Sequence, residues 1–213
     1  MNGRVTVFGM RGLVALALVA GGWAPATPRA QMAAATQMMP AAGVTPDAGV
    51  TPAVGAKAKD FALTALAGTT VRLSEQTARG PVVLVVLRGW PGYQCPFCTR
   101  QFGEYLAHAA DLQATGAQVL FVYPGPADGL DAHAKAFTAD RPLPENFHIL
   151  LDPDYTFTQS YGLRWDAPKE TAYPSTFVLD RRGIVTFART SHAHGERVPV
   201  ADILKALASP GEV

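Results

Sequence analysis

The stretch PVVLVVLRGWPGYQCPFCTRQF, residues Pro81 to Phe102, decides how this chain is read. Its first half, Val82 to Leu87, is an unbroken apolar run rich in β-branched residues, the pattern of a central strand covered on both faces. Its second half opens a helix. Pro96 suits the first helical position, which makes Cys95 the N-cap residue. The chain has two cysteines, and both lie at this strand-to-helix turn, as Cys95-Pro96-Phe97-Cys98. At such a turn a C-x-x-C motif reads as a redox pair.

The helix is expected to run from Pro96 to about Ala114, with Phe102, Leu106, Ala109 and Leu112 on one apolar stripe. Cys98 lies four residues before Phe102 and falls on that stripe, facing inward, while Cys95 sits at the helix mouth. Cys95 is therefore expected to be the attacking thiol and Cys98 the resolving one. An ordinary cysteine is mostly protonated at neutral pH. Lowering its pKa by about two units takes about 2.7 kcal/mol, of which a helix N-terminus supplies roughly 0.3–2 kcal/mol. A cation should supply the remainder, and Arg88 and Arg100 are the arginines close in sequence. Trp90 and Tyr93 flank the pair and are candidates for shaping the entrance.

Outward from this centre, strands and helices alternate. Phe61–Leu66 and Thr70–Leu73 flank Gly68 and read as a hairpin. Ala117–Tyr123 and Phe147–Leu151 read as further strands, with a helix over Leu130–Ala139 between them and a short one around Tyr155–Tyr161. A hairpin follows over Thr176–Asp180 and Ile184–Arg189, then a closing helix over Pro199–Ala208. Two crossovers followed by an antiparallel hairpin and a helix predict an α/β fold, a central mixed sheet with helices on both faces.

The chain has 213 residues, of which 16% are charged, and a net charge of +1. Residues 1–56 carry only Arg4, Arg11, Arg29 and Asp47. Without them the remainder is an ordinary, slightly acidic domain, which argues against a nucleic-acid partner. Two cysteines exclude a multi-bridge disulfide scaffold. Arg4 and Arg11, the apolar run Gly12–Ala20 and the A-x-A-like Ala24-Pro25-Ala26 make residues 1–30 an export signal, or an N-terminal anchor if uncut. Residues 31–55, rich in Ala, Thr and Pro, read as a disordered spacer, leaving residues 56–213 as the domain. The expected location is the periplasm, with no stable membrane association unless the signal is retained.

The segment Pro81–Phe102 resembles the active-site region of the AhpC/TSA peroxiredoxin-like branch of the thioredoxin superfamily. The likeness continues through PSTFVLDRRGIVTFA (Pro174–Ala188) and HGERVPVADILKAL (His194–Leu207), and covers residues 54–208. It implies a thioredoxin-like fold with an N-terminal β-hairpin extension. It also implies reduction of hydroperoxides, or of protein disulfides, by a cysteine at the first long helix, with no cofactor. In one register Cys95 takes the peroxidatic position, with Arg88 and Gly92 where the family keeps a proline and a hydroxyl. In a register shifted by three, those positions fall on Pro91, Cys95 and Cys98. Pro174 stands where peroxiredoxins keep an arginine, and resembles the cis-proline of TlpA-like reductases.

The first expectation is a thiol-dependent peroxidase cycling through a Cys95–Cys98 disulfide and restored by a thioredoxin-like dithiol protein. The alternatives are a periplasmic thiol–disulfide oxidoreductase, and a non-enzymatic metal-binding module using the cysteines with His192 and His194. His108, His133 and His148 are expected to be structural or solvated.

Overall fold

A computed structural model describes residues 49–139 and 141–209. The expected signal peptide or anchor, and most of the expected spacer, lie outside the described residues. Among the described residues no helix is long and apolar enough to cross a membrane.

The strands are β1 (Ala62–Thr64), β2 (Thr70–Arg72), β3 (Val82–Val86), β4 (Gln118–Gly125), β5 (Phe147–Pro153), β6 (Ser175–Leu179) and β7 (Val185–Thr190). The helices are α1 (Leu73–Arg79), α2 (Pro96–Ala107), α3 (Ala109–Ala114), α4 (Leu130–Thr138), α5 (Thr156–Ser160) and α6 (Val200–Ala208). Five strands form one mixed sheet in the order β5-β4-β3-β6-β7. β3 runs parallel to β4 and antiparallel to β6, and every one of its residues is buried. Burying each of its Val or Leu side chains is worth about 1.5–3 kcal/mol, so the continuous apolar run has no stable position except mid-sheet. β1 and β2 form the expected separate hairpin.

The alternation of side chains along the strands splits the core in two. Val83, Val85, Val119 and Phe121 face the side holding Phe102, Leu112, Phe137 and Ile203 from the helices, together with both cysteines. Leu84, Val86, Leu120 and Val122 face the side holding Leu73 and Phe157. The thioredoxin-like α/β architecture is therefore as expected, with the N-terminal hairpin on the second face.

Three details differ from the expectation. The helix after the cysteines is broken at His108, whose ψ of 20° leaves the helical range. Within α2 the buried residues are Cys98, Gln101, Phe102 and Tyr105, with Leu106 only half-buried. α1, unmarked in sequence, is capped from a distance: Asp60 accepts from Ser74 N at 2.9 Å and from Ser74 Oγ at 3.0 Å. Finally, the packed chain begins before residue 56. Thr51 Oγ1 donates to the Tyr161 carbonyl at 3.1 Å, Pro52 is buried, and Gly55 N donates to the Val185 carbonyl at 2.8 Å. Residues 49–55 are thus part of the domain surface, held by the Thr51 hydroxyl, the buried Pro52 and the Gly55 N–H.

Candidate active site

β3 ends at Val86 and α2 begins at Pro96, so the intervening loop emerges from the centre of the sheet. Its path is set by a close approach. Gly89 has φ +64°, and a Cβ there would lie 1.9 Å from the Pro124 carbonyl oxygen. The next residue, Trp90, donates its N–H to that same carbonyl at 2.9 Å. Trp90 then stacks on His133, with ring centroids 3.6 Å apart. Gln94 donates to the His133 carbonyl at 2.7 Å and accepts from the Tyr123 hydroxyl at 2.8 Å. The residue before Cys95 is therefore locked to β4 and α4.

Cys95 is the N-cap of α2 with Pro96 behind it, and both cysteines are free thiols in this structure. Each is only 1% exposed, so Cys95 stands under cover rather than open at the helix mouth. The Cys98 thiol donates to Cys95, which outweighs burial and, with the N–H groups of Cys98 and Phe97 and the charge of Arg197, pulls the Cys95 pKa down. Cys98 moves the opposite way. Its donation to Cys95, its burial and the nearby Cys95 charge all hold its proton on, and Arg197 only partly counters them. The pair is thus split into a thiolate-forming Cys95 and a proton-holding Cys98, by environment alone.

The Cys98 sulfur in turn accepts from the Arg88 N–H at 3.3 Å and from Arg197 Nη2 at 3.6 Å. Arg88 was the expected source of charge at the thiols, and here the structure corrects the reading. Its side chain, 2% exposed, turns away and forms an ion pair with Glu170 at 2.7 Å. It also donates to the Tyr93 hydroxyl at 2.5 Å and to the Lys169 carbonyl at 2.8 Å. A guanidinium buried this deeply needs a partner, and Glu170 supplies it. The cation at the thiols is Arg197, and Arg88 contributes its backbone amide. Arg100 lies over the Phe97 ring on the surface.

Pro174 also differs from the expectation. The described residues contain no cis peptide bond, so Pro174 is trans. It leads directly into β6, its carbonyl accepting from Ser191 N at 2.8 Å, an arrangement a strand-start proline satisfies without a cis turn. It lines a cleft of about 670 Å³ together with Thr176, Phe187, Arg189 and Arg197. Arg197 thus faces both this cleft and Cys98. Tyr93 is 45% exposed at the loop surface, and Trp90 is half-buried over α4.

The two histidines of the metal-site alternative are engaged elsewhere. His192 packs on Tyr173, and His194 Nε2 lies 2.8 Å from Glu170 Oε1. Among the described residues no three His, Cys, Asp or Glu side chains gather to hold a metal. His108 bonds Asp111, and burial, with the charge of Arg79, pushes the His148 pKa down. Sequence reading missed Glu170 and Arg197. Arg197 lies in the His194–Leu207 block, but nothing local distinguishes it from a surface arginine.

A dithiol at the start of the first long helix, with split proton affinities and a thioredoxin-like sheet beneath it, defines a thiol-based redox protein. The chain belongs to the AhpC/TSA family, whose model matches residues 54–188. No curated protein is significantly similar in sequence. Among solved structures, it resembles peroxidoxin BcpB from Mycobacterium tuberculosis at 22% identity and a TM-score of 0.58, over 74% of this chain and 97% of that one. It resembles a putative thiol:disulfide interchange protein DsbE from Chlorobium tepidum at 28% identity and a TM-score of 0.55, over 74% and 99%. A thiol peroxidase from Chromobacterium violaceum matches at 16% identity and a TM-score of 0.56, over 75% and 88%. The first and third of these likenesses show the shared fold.

Proposed function

We propose that the protein is a thiol-dependent peroxidase that reduces small hydroperoxides through Cys95 and Cys98. The observation that carries this reading is the pairing of a lowered Cys95 pKa with 1% exposure. A thiolate under cover is more readily reached by a small oxidant than by a disulfide on a folded partner, which must bring a sulfur into line with it.

In the first step the Cys95 thiolate attacks the terminal oxygen of the hydroperoxide. The O–O bond breaks, Cys95 becomes a sulfenic acid, and the departing alkoxide or hydroxide takes up a proton. The N–H groups of Phe97 and Cys98, together with Arg197, favour the Cys95 anion before attack. Cys98 then attacks the sulfenic sulfur, its proton leaves with the hydroxyl as water, and the Cys95–Cys98 disulfide forms. Thiol–disulfide exchange with an external dithiol protein restores the pair. We also place this chemistry in the periplasm, on the strength of the sequence of residues 1–30.

Rapid mixing of the reduced protein with hydrogen peroxide, and separately with a protein disulfide, tests the reading. Faster oxidation by peroxide is expected. Cys98→Ser should react once and stop at a sulfenic acid that a 1,3-dione traps. Unchanged peroxide consumption by Cys95→Ser, with a dithiol reductant present, would sink the proposal.

A second reading, reduction of protein disulfides, is favoured by the 28% identity to the Chlorobium tepidum interchange protein. It predicts a mixed disulfide between Cys95 and a partner cysteine, trapped in Cys98→Ser.

A further inference from the structure

We propose that Glu170 is a positioning residue that sets the redox potential of the Cys95–Cys98 pair without touching either sulfur. The inference rests on the reading of these cysteines as a redox pair, but not on which oxidant they meet. One carboxylate oxygen of Glu170 accepts from Arg88 Nε at 2.7 Å, and the other lies 2.8 Å from His194 Nε2. Each of these contacts begins an arm that ends on Cys98.

The first arm is Arg88. Its guanidinium is held by Glu170 and by the Lys169 carbonyl, and its own carbonyl accepts from the Thr171 hydroxyl. Residues 169–171 therefore grip Arg88 at both side chain and backbone, which fixes the N–H that donates to the Cys98 sulfur at 3.3 Å. The second arm is the 194–197 turn. Glu170 holds the His194 ring, the His194 carbonyl accepts from Arg197 Nη1 at 2.9 Å, and Arg197 Nη2 reaches the Cys98 sulfur at 3.6 Å. Glu170 is the point where the two arms meet.

Both donors act on a sulfur whose own S–H is donated to Cys95. Drawing electron density from Cys98 strengthens that donation, so the reduced pair is stabilised as a chain of hydrogen bonds. Reduction by dithiothreitol breaks the S–S bond and moves two electrons to the pair. Cys95 is left as a thiolate and one proton goes to Cys98, while the second proton from dithiothreitol goes to solvent. Donors that favour this reduced state make the disulfide a stronger oxidant. Removing their anchor should lower the potential.

The test is equilibration of the full-length protein with dithiothreitol redox buffers, scoring the reduced fraction by alkylation. Glu170→Ala is expected to favour the disulfide by about tenfold in the equilibrium constant, about 30 mV for a two-electron couple. In Glu170→Gln the amide oxygen still accepts from Arg88 and the amide nitrogen still faces His194, so the constant should stay within about twofold of the wild type. Arg197→Met should shift it in the same direction as Glu170→Ala, and the double variant should shift less than the sum.

A wild-type constant in Glu170→Ala, a Gln variant displaced as far as Ala, or strictly additive shifts would each overturn the proposal. If Glu170→Ala does not fold, Glu170→Asp, one carbon too short to span both arms, should shift in the same direction, and a wild-type value there overturns it equally. A wild-type protein that never forms the disulfide is a different failure, visible before any variant is made. That result removes the redox-pair reading itself and this inference with it.

Discussion

The guanidinium of Arg197 lies 3.6 Å from the sulfur of Cys98, across 99 residues of sequence. It is the cation beside the thiols, and it reaches them from the turn before α6 rather than from the loop that carries them. Its removal should therefore be felt in thiol chemistry. Arg197→Met keeps much of the apolar stem and deletes the charge. At about pH 4, below the lowered Cys95 pKa of about 5, alkylation of Cys95 by iodoacetamide is expected to slow by about fivefold, equivalent to about 1 kcal/mol of lost thiolate stabilisation. Initial rates at constant ionic strength measure it.

Titration of the pair should show its asymmetry. Donation from Cys98 is the chief cause of the lowered Cys95 pKa, so the alkylation rate should have its inflection well below the ~8.5 of a free cysteine. Linkage gives the matching stability effect. A folded-state pKa below the unfolded one means that Cys95 adds stability as pH rises through the interval between them, and that this stability is lost as pH falls through the lowered value. Urea midpoints of the reduced protein, compared with Cys95→Ser across that interval, should diverge upward with pH.

The buried ion pair between Arg88 and Glu170 predicts a larger effect, on stability. Arg88 is 2% and Glu170 10% exposed. Arg88→Ala strands the carboxylate beside His194 and empties the space under Tyr93. Breaking such a pair costs about 3–5 kcal/mol, to be read from the urea midpoint of the reduced protein. A loss below about 1 kcal/mol would mean that water replaces the arginine freely.

Gly89 should tolerate no side chain. Its φ of +64° already disfavours an L residue, and a Cβ would meet the Pro124 carbonyl oxygen at 1.9 Å. Gly89→Ala should combine the left-handed cost of about 1–2 kcal/mol with the loss of the Trp90–Pro124 hydrogen bond, for a total of about 3 kcal/mol. Thermal unfolding followed by circular dichroism checks it.

The frame of the molecule was legible in its sequence where single segments carry their own signal. Val82–Val86 reads as a buried strand because five consecutive apolar residues fit only a sheet centre. Cys95 reads as an N-cap because a proline follows it. α1 was not legible, since its cap, Asp60, comes from before β1 and no local pattern announces it. The site divides in the same way. Its two sulfurs are adjacent in sequence and were found, whereas Glu170 and Arg197 are ordinary charged residues until the fold brings them to Arg88 and Cys98. Proximity in sequence favoured Arg88 as the cation. Burial beside Glu170 decided otherwise, because a desolvated guanidinium goes to the nearest carboxylate before it goes to a thiol.

The cysteine motif is complete by residue 98, but the cation beside its sulfurs arrives only with residue 197. A chain interrupted before that final turn carries the dithiol without the positive charge of Arg197. The last increment of thiolate stabilisation is therefore added only when the segment before α6 docks, so the full reactivity of a motif read in four residues belongs to the finished fold.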